Sequence, residues 1–286
     1  MVLETVDIRT IASGAENEDR AGVAPPLAWV IDGATDVVPE PLTHAASDAS
    51  WFAAAMHAVL SGLDAEAHAS LAELPAVVAD RLAPEFAASA RRPPAGRADH
   101  PSASAVIIRA REHGHIEFVS VGDCTLLAHD GKRLMKIGVA EEDAGDRWVA
   151  DALTGRSQNA TAAPVPLSRD DLWPRLRAVR AHMNTPGGYG VFSITAPPPT
   201  MVRHGTLEVA PGSRILLASD GLLRLVDIFR AYDTERLFTA AWTNGLAPLF
   251  DELRALERAD ADCKRYPRAK TSDDTTALLL RVTPRA

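Results

Sequence analysis

Apolar residues along the 286-residue chain follow two rhythms, one of strands and one of helices, that alternate without internal repeats. Leu27 to Ile31 is a short apolar run ending at Asp32-Gly33, the pattern of a buried strand that turns sharply at its end. Behind Ser47 and Asp48, both good N-cap types, Trp51, Phe52, Ala55, Met56, Val59, Leu60 and Leu63 recur at helical spacing and predict an amphipathic helix. Leu71, Leu74, Val78 and Leu82 predict a second helix, with Pro75 marking its start or a kink. The stretch RRPPAGRADHPS is a loop by composition. From Ser104 the period becomes that of strands: AVIIRA, the turn REHGH, IEFVSV, Gly122-Asp123, TLLA, the turn HDGK and RLMKI. This predicts a β-meander, with hairpin chemistry at His129-Asp130-Gly131-Lys132.

Residues from Glu141 to about Pro166 are polar and irregular, as in a surface excursion or flap. Ser168-Arg169-Asp170-Asp171 resembles a capping box with Asp in place of Glu, ahead of Leu172, Leu176, Val179 and Met183, and predicts a further helix. The turn-rich stretch Asn184 to Tyr189 leads into VFSI. RILLASD then reads as a buried strand ending at Asp220, followed by helical runs at Leu222 to Phe229 and Leu246 to Leu256 and by a last strand, TALLLRV. Strands flanking one helical pair, then more helices, suit an α+β layered sandwich. We take residues 1–286 as a single domain.

Composition narrows the class. Hydrophobic residues make up 47% of the chain, enough for a full core. Acidic residues number 38 against 30 basic ones, a formal net charge of -8 with no Lys/Arg block, which argues against a nucleic-acid partner. MVLETVDIRT lacks a basic segment followed by an apolar one, and nowhere do 18 apolar residues run together. The expectation is a cytoplasmic protein, neither secreted nor membrane-spanning. Cys124 and Cys263 are too few for a disulfide framework and lack zinc-site spacing.

The informative chemistry lies in five short acidic segments: ENEDR around Glu18 and Asp19, VIDGA around Asp32, VGDC around Asp123, LLASDGLL around Asp220 and SDDTTALLL around Asp273. In four of them an apolar, strand-like run lies against the Asp. A carboxylate at a strand end is held by the core behind it while its oxygens point into a cleft, an arrangement that suits hard cations such as Mg²⁺ or Mn²⁺. Other readings stay open: Glu18 and Asp19 as a solvated loop pair, Asp123 as a hairpin-turn residue, and Arg20 as a solvated Arg balancing the acids beside it.

In order and content these segments resemble the metal-dependent protein phosphatases of the type 2C (PPM) family. The matching stretches are Asn17-Glu18-Asp19, Asp32-Gly33, Ser102-Ala103-Ser104-Ala105, Gly122-Asp123-Cys124-Thr125, Leu217-Ala218-Ser219-Asp220-Gly221 and Asp273-Asp274-Thr275-Thr276, and they span nearly the whole chain. The resemblance implies a four-layer α-β-β-α sandwich with two central antiparallel sheets. It also implies two divalent ions, Mn²⁺ or Mg²⁺, in a cleft at one end. By matching position, Asp32 bridges the ions, the Gly33 carbonyl holds one, Asp220 and Asp273 complete the other, and Glu18 and Asp19 act through bound water. Asp123 matches a residue that helps to bind a third, weaker ion.

The implied activity is hydrolysis of phosphoserine or phosphothreonine in proteins by an activated water. The alternatives are a phosphatase for a small phosphorylated metabolite, or a catalytically silent relative that binds phosphorylated partners. No membrane partner is implied, and the oligomeric state is left open. The chain departs from the family at several points. Gly14 stands where many relatives carry a phosphate-gripping Arg, and Ala34 stands where many carry His. The Gly-Asp-Ser-Arg turn has become Gly-Asp-Cys-Thr, and Asp274 replaces an Asn. Arg20, directly after Glu18 and Asp19, is the candidate to grip phosphate instead, as a planar fork matches phosphate oxygens. Arg9 is a further substitute.

Overall fold

The computed structural model describes residues 1–138, 169–266, 268 and 270–285. The expected flap at 141–166, and Ser168 of the capping box, lie outside them. Two antiparallel sheets stack face to face. One contains β1 (Val2–Ile11), β6 (Thr125–His129), β7 (Leu134–Ile137), β10 (Arg214–Ala218) and β11 (Thr275–Thr283), in the order β1-β11-β10-β6-β7. The other contains β2 (Asp19–Ala24), β3 (Leu27–Gly33), β4 (Ser102–Ala110), β5 (His115–Val121) and β9 (Arg203–Glu208) in that order, with the short β8 (Phe192–Ser193) beside β4.

Strand alternation sorts the apolar residues into layers. Ala28 and Val30 of β3, with Leu126, Ile215, Leu217, Leu278 and Leu280 of the opposite sheet, fill the space between the sheets. Trp29 and Ile31 face the other way, onto α1 (Asp48–Ser61) and α2 (Leu74–Ser89). On the far side, Leu216, Leu279 and Ala277 pack under α4 (Asp220–Asp227), α5 (Thr234–Asn244) and α6 (Ala247–Ala259). A further helix, α3 (Arg169–Arg180), lies against the 34–37 segment, where Arg180 Nη2 donates to the Thr35 carbonyl at 2.8 Å and Arg177 Nη1 to the Val37 carbonyl at 3.1 Å. This is the four-layer α-β-β-α sandwich that the sequence led us to expect. No helix among the described residues is long and apolar enough to cross a membrane.

The expected β-meander is corrected. β5 and β6 do not pair. Gly122-Asp123 carries the chain from one sheet to the other, with Gly122 at φ +84° in the left-handed region. A Gly-Asp between two apolar runs has the same local signature whether the second strand pairs with the first or crosses to the facing sheet. RILLASD also ends earlier than expected: the strand stops at Ala218, Ser219 is the N-cap residue, and Asp220 opens α4. The pattern did not single out β1, β2, β9 or α5. In β1 and β9 the polar alternates interrupt the apolar count.

At the end of the sheets remote from Asp32, Arg109 of β4 is fully buried and paired with Glu117 of β5, its Nη2 lying 2.6 Å from Oε2. It also donates to the carbonyls of Ala65 and His68, while the other Glu117 oxygen accepts from the Leu71 amide at 2.7 Å. The pair thus ties the α1–α2 connection to the sheet. Removing one member of a buried ion pair leaves the other uncompensated. Glu117→Ala is expected to lower stability in denaturant unfolding by about 3 kcal/mol, the low end for such a loss because Arg109 keeps its carbonyl acceptors.

Candidate active site

Asp19 opens β2 and Asp32 lies near the end of β3, directly opposite one another in register, with Ser104 of β4 next in the row. Residues paired this way project from the same face. By the same alternation that points Ala28 and Val30 between the sheets, both carboxylates face the end of the inter-sheet layer. From the facing sheet, Ser219 Oγ donates to Asp19 Oδ2 at 2.8 Å and places Asp220 beside Asp32. Asp19 is 1% exposed, and its Oδ1 is buried with no hydrogen-bond partner among the described residues.

The two Asp-Gly pairs have a steric reason. A Cβ on Gly33 would sit 2.5 Å from the Glu18 carbonyl oxygen, whose hydrogen bond from the Gly33 amide (3.1 Å) locks the entry to β2 against the end of β3. A Cβ on Gly221 would sit 2.0 Å from the Asp274 carbonyl oxygen. Glycine at both positions lets the chain segments that carry the carboxylates close on one another.

The remaining predicted residues lie around this pair. Asp123 is an exposed residue of the sheet-switching turn, close enough for its charge to act on both Asp32 and Asp220. Glu18 stands at the rim, its Oε2 accepting from Thr35 Oγ1 at 2.7 Å. Asp273 precedes β11, with Oδ2 held by Arg224 Nη2 of α4 and Oδ1 by Lys270 Nζ, each at 3.0 Å. Arg224 continues to Glu257 Oε1 at 3.1 Å, and Arg254 binds Glu257 Oε2 at 2.5 Å and the Asp273 carbonyl at 2.8 Å.

Arg20 is placed on the opposite face of β2 from Asp19. Its Nη1 donates to the carbonyls of Asn17 (2.7 Å) and Asp19 (2.6 Å), and its charge helps to hold the His57 imidazole of α1, already depressed by burial, below its usual value. Adjacent strand residues point to opposite faces, so a carboxylate inside the cleft puts its neighbour outside. Asp274, noted only as a departure from Asn, accepts from the amides of Ser13 and Glu18, both at 2.6 Å, and so shapes the loop before β2. Cys124 is a fully buried thiol of the inter-sheet core. Sequence reasoning missed Arg224, Glu257, Thr35 and Lys270. An Arg within the apolar run GLLRLVD signals a buried acidic partner, whereas Lys270 sits in a loop without a pattern to mark it.

The carboxylates strain against one another. Burial, followed by repulsion from Asp19, Asp220, Asp123 and Asp273, pushes the Asp32 carboxyl well above the usual range. Burial raises Asp19 to about 8 despite hydrogen bonds from Ser219 and Thr276. Burial with repulsion from Asp123 and Asp273 raises Asp220 to about 7, opposed by Arg224. Among the described residues no group of three or more His, Cys, Asp or Glu side chains closes into a metal cage. The donors nonetheless suit a hard divalent ion whose shell is completed by water: all are carboxylates, they lack sufficient counter-charge, and Asp19 holds one buried oxygen without a partner.

No protein-family model and no curated protein matches the sequence. Solved structures do match. The Mycobacterium tuberculosis serine/threonine phosphatase PstP/Ppp superposes over 99% of this chain and 100% of its own, with a TM-score of 0.59 and 17% identity. The PPM Ser-Thr phosphatase MsPP from Mycobacterium smegmatis, in complex with cacodylate, covers 97% and 99% with a TM-score of 0.50 and 16% identity. The chain has the PPM phosphatase fold. PppA, a regulatory component of T6SS in Pseudomonas aeruginosa, shares this fold over 98% of both chains, with a TM-score of 0.55 and 18% identity. The catalytic domain of PstP in complex with two manganese ions does so over 99% of both, with a TM-score of 0.57 and 19% identity.

Carboxyls raised in the folded state hold protons that the unfolded chain has already released. Their contribution therefore favours unfolding increasingly as pH rises from the unfolded value of 3.8 through the folded values of about 7 and about 8. In EDTA, the melting temperature is expected to fall between about pH 5 and pH 8 on this account. Asp19→Asn should flatten that slope, and added Mn²⁺ should raise the alkaline end. A slope unchanged in Asp19→Asn would show that this carboxyl titrates normally.

Proposed function

We propose that this chain is a metal-dependent phosphomonoesterase that hydrolyses phosphoserine and phosphothreonine in proteins. The observation that carries this reading is the convergence of Asp19, Asp32 and Asp220, with Asp123 and Asp273 beside them, at one end of a sandwich shared with serine/threonine phosphatases. Divalent ions bound there would supply a nucleophilic water at neutral pH and neutralise the phosphoryl oxygens. The manganese bound by the PstP catalytic domain supports Mn²⁺ as a first choice, and an all-oxygen donor set accommodates Mg²⁺ equally.

In this reading Asp32, the Gly33 carbonyl, Asp220 and Asp273 would hold the ions. Glu18 and Asp19 orient water, Glu18 being held in place by Thr35 and Asp19 by Ser219. Asp123 would help to hold a third, weaker ion. Arg20 anchors the loop through the Asn17 and Asp19 carbonyls, and we do not assign it the phosphate grip. One observation favours the second reading, a silent phosphoprotein-binding relative: both oxygens of Asp273 already face protein cations.

Hydrolysis of p-nitrophenyl phosphate and of phosphopeptides with Mn²⁺ decides between the two. Activity should vanish in EDTA and return with Mn²⁺ or Mg²⁺. Asp32→Asn should lower it by roughly 100-fold or more in a folded protein, as loss of even an outer partner of a metal ligand costs about 10–100-fold. Phosphopeptide binding without turnover in the unmodified chain would establish the silent reading.

A side chain at position 14 would meet open space. Gly14→Arg is therefore expected to fold normally and to lower the KM for phosphate esters by about tenfold, the worth of one charge-assisted hydrogen bond. An unchanged KM would show that the loop before β2 does not reach the bound phosphate.

A further inference from the structure

Lys270 belongs to none of the motifs that pointed to the site, yet its ammonium stands at the mouth of the cleft. Nζ lies 3.0 Å from Asp273 Oδ1 and 3.0 Å from Thr35 Oγ1, and Thr35 donates onward to Glu18 Oε2 at 2.7 Å. One lysine thus spans from the segment ahead of β11 to the loop that follows Asp32-Gly33. Its charge is also felt at Asp32 and Asp220. With Arg224 on the other oxygen, Asp273 is the one carboxylate of the group flanked by two protein cations among the described contacts.

A carboxylate oxygen has lone pairs for both a hydrogen bond and a metal ion, but a divalent ion that draws up to an oxygen already facing a protein cation is repelled by that cation, and the repulsion is relieved when the cation gives way. The two cations differ in how readily they give way. The Arg224 side chain is 7% exposed, bridges Asp273 to the buried Glu257, and is fixed by its planar fork. The Lys270 side chain is 45% exposed and carries a compact charge on a flexible four-carbon stem that can swing into water. The repulsion is therefore relieved at Oδ1.

Resting on the metal-dependent reading above, we propose that Lys270 sets the metal affinity of this site. It is a tethered monovalent cation that balances Asp273 when no divalent ion is bound there and competes by its charge with one that binds. The residue is a positioning and affinity-determining group, with no contact to the reacting phosphoryl assigned to it. Loading at the Asp273 position is then weaker than at the position nearest Asp32, and two classes of site should be resolved by affinity.

Calorimetric titration of the full chain, stripped with EDTA, against Mn²⁺ tests this without reference to turnover. Lys270→Met is expected to bind Mn²⁺ about two- to fivefold more tightly at the weaker of the two sites, the range for losing one half-exposed competing charge. Lys270→Arg keeps the charge and should stay near the unmodified affinity. Combining Lys270→Met with Asp273→Asn should abolish the gain, since the lysine acts through that carboxylate. Thermal unfolding checks that each variant is folded. Equal or weaker affinity in Lys270→Met, with Mn²⁺ binding intact in the unmodified chain, would overturn this inference alone and leave the metal reading standing. If neither protein takes up Mn²⁺, both fall.

Discussion

Asp19, Asp32 and Asp220 repel one another across spacings that the two sheets fix, and the packing behind them prevents their moving apart. Asp19 and Asp32 are locked opposite each other by the β2–β3 ladder, and Asp220 is set by the end of a strand in the facing sheet. Trp29 and Ile31 on one side and Leu216 and Ala277 on the other anchor those strands to the helices. A loop-borne cluster would relieve its repulsion by fraying. This one is held at the end of a packed core, so relief must come as positive charge or protons.

The protein supplies part of that charge itself, and supplies it unevenly. Arg224 and Glu257, both buried, and the part-buried Arg254 form a chain that ends on Asp273 from the helical layer. Among the described residues nothing comparable reaches Asp19, whose second oxygen is buried with no hydrogen-bond partner among them. The cleft is therefore braced at the α4–α6 side and electrostatically unsatisfied at the β2–β3 side. Asp274 contributes in another way, spending both oxygens on the amides of Ser13 and Glu18. A carboxylate at that position accepts at both oxygens, whereas an Asn has only one acceptor.

Much of this was legible in the chain because buried strands announce themselves as apolar runs. β3, β4, β5, β10 and β11 were read directly, and so was α1 from its spacing and from Ser47. The layered α+β arrangement followed from their order. The misreadings have local causes. Gly122-Asp123 has the composition of a hairpin turn, and only the partner strand reveals that the chain changes sheet. Asp220 follows an apolar strand so closely that the cap at Ser219 is hidden. Arg20 was placed with the acids because it is adjacent to them, although alternation along β2 sends it to the α1 face. The acidic residues expected at the site lie near one another while Arg20 faces away, and the cations beside Asp273 come from a helix 49 residues off in sequence and from a patternless loop residue three positions before it. Pairings of that kind leave no periodic trace.

The pairing of β1 with β11 brings together the two most widely separated strands described, and Asp274 fastens the loop between β1 and β2 to the start of that last strand. Contacts of such sequence separation form late, because the long loop between them must first be closed. During synthesis from the N-terminus, β3, β4 and the α1–α2 pair can assemble while Asp273 and Asp274 are still inside the ribosome. Until they emerge, Glu18 and Asp19 lack the clamp that shapes their approach to Asp32. The nascent chain thus passes through a stage in which the sheet of β3 and β4 and its α1–α2 layer can exist while the facing sheet, which β11 joins to β1, and the carboxylate cluster are incomplete, so capacity to gather a divalent ion arrives with that strand.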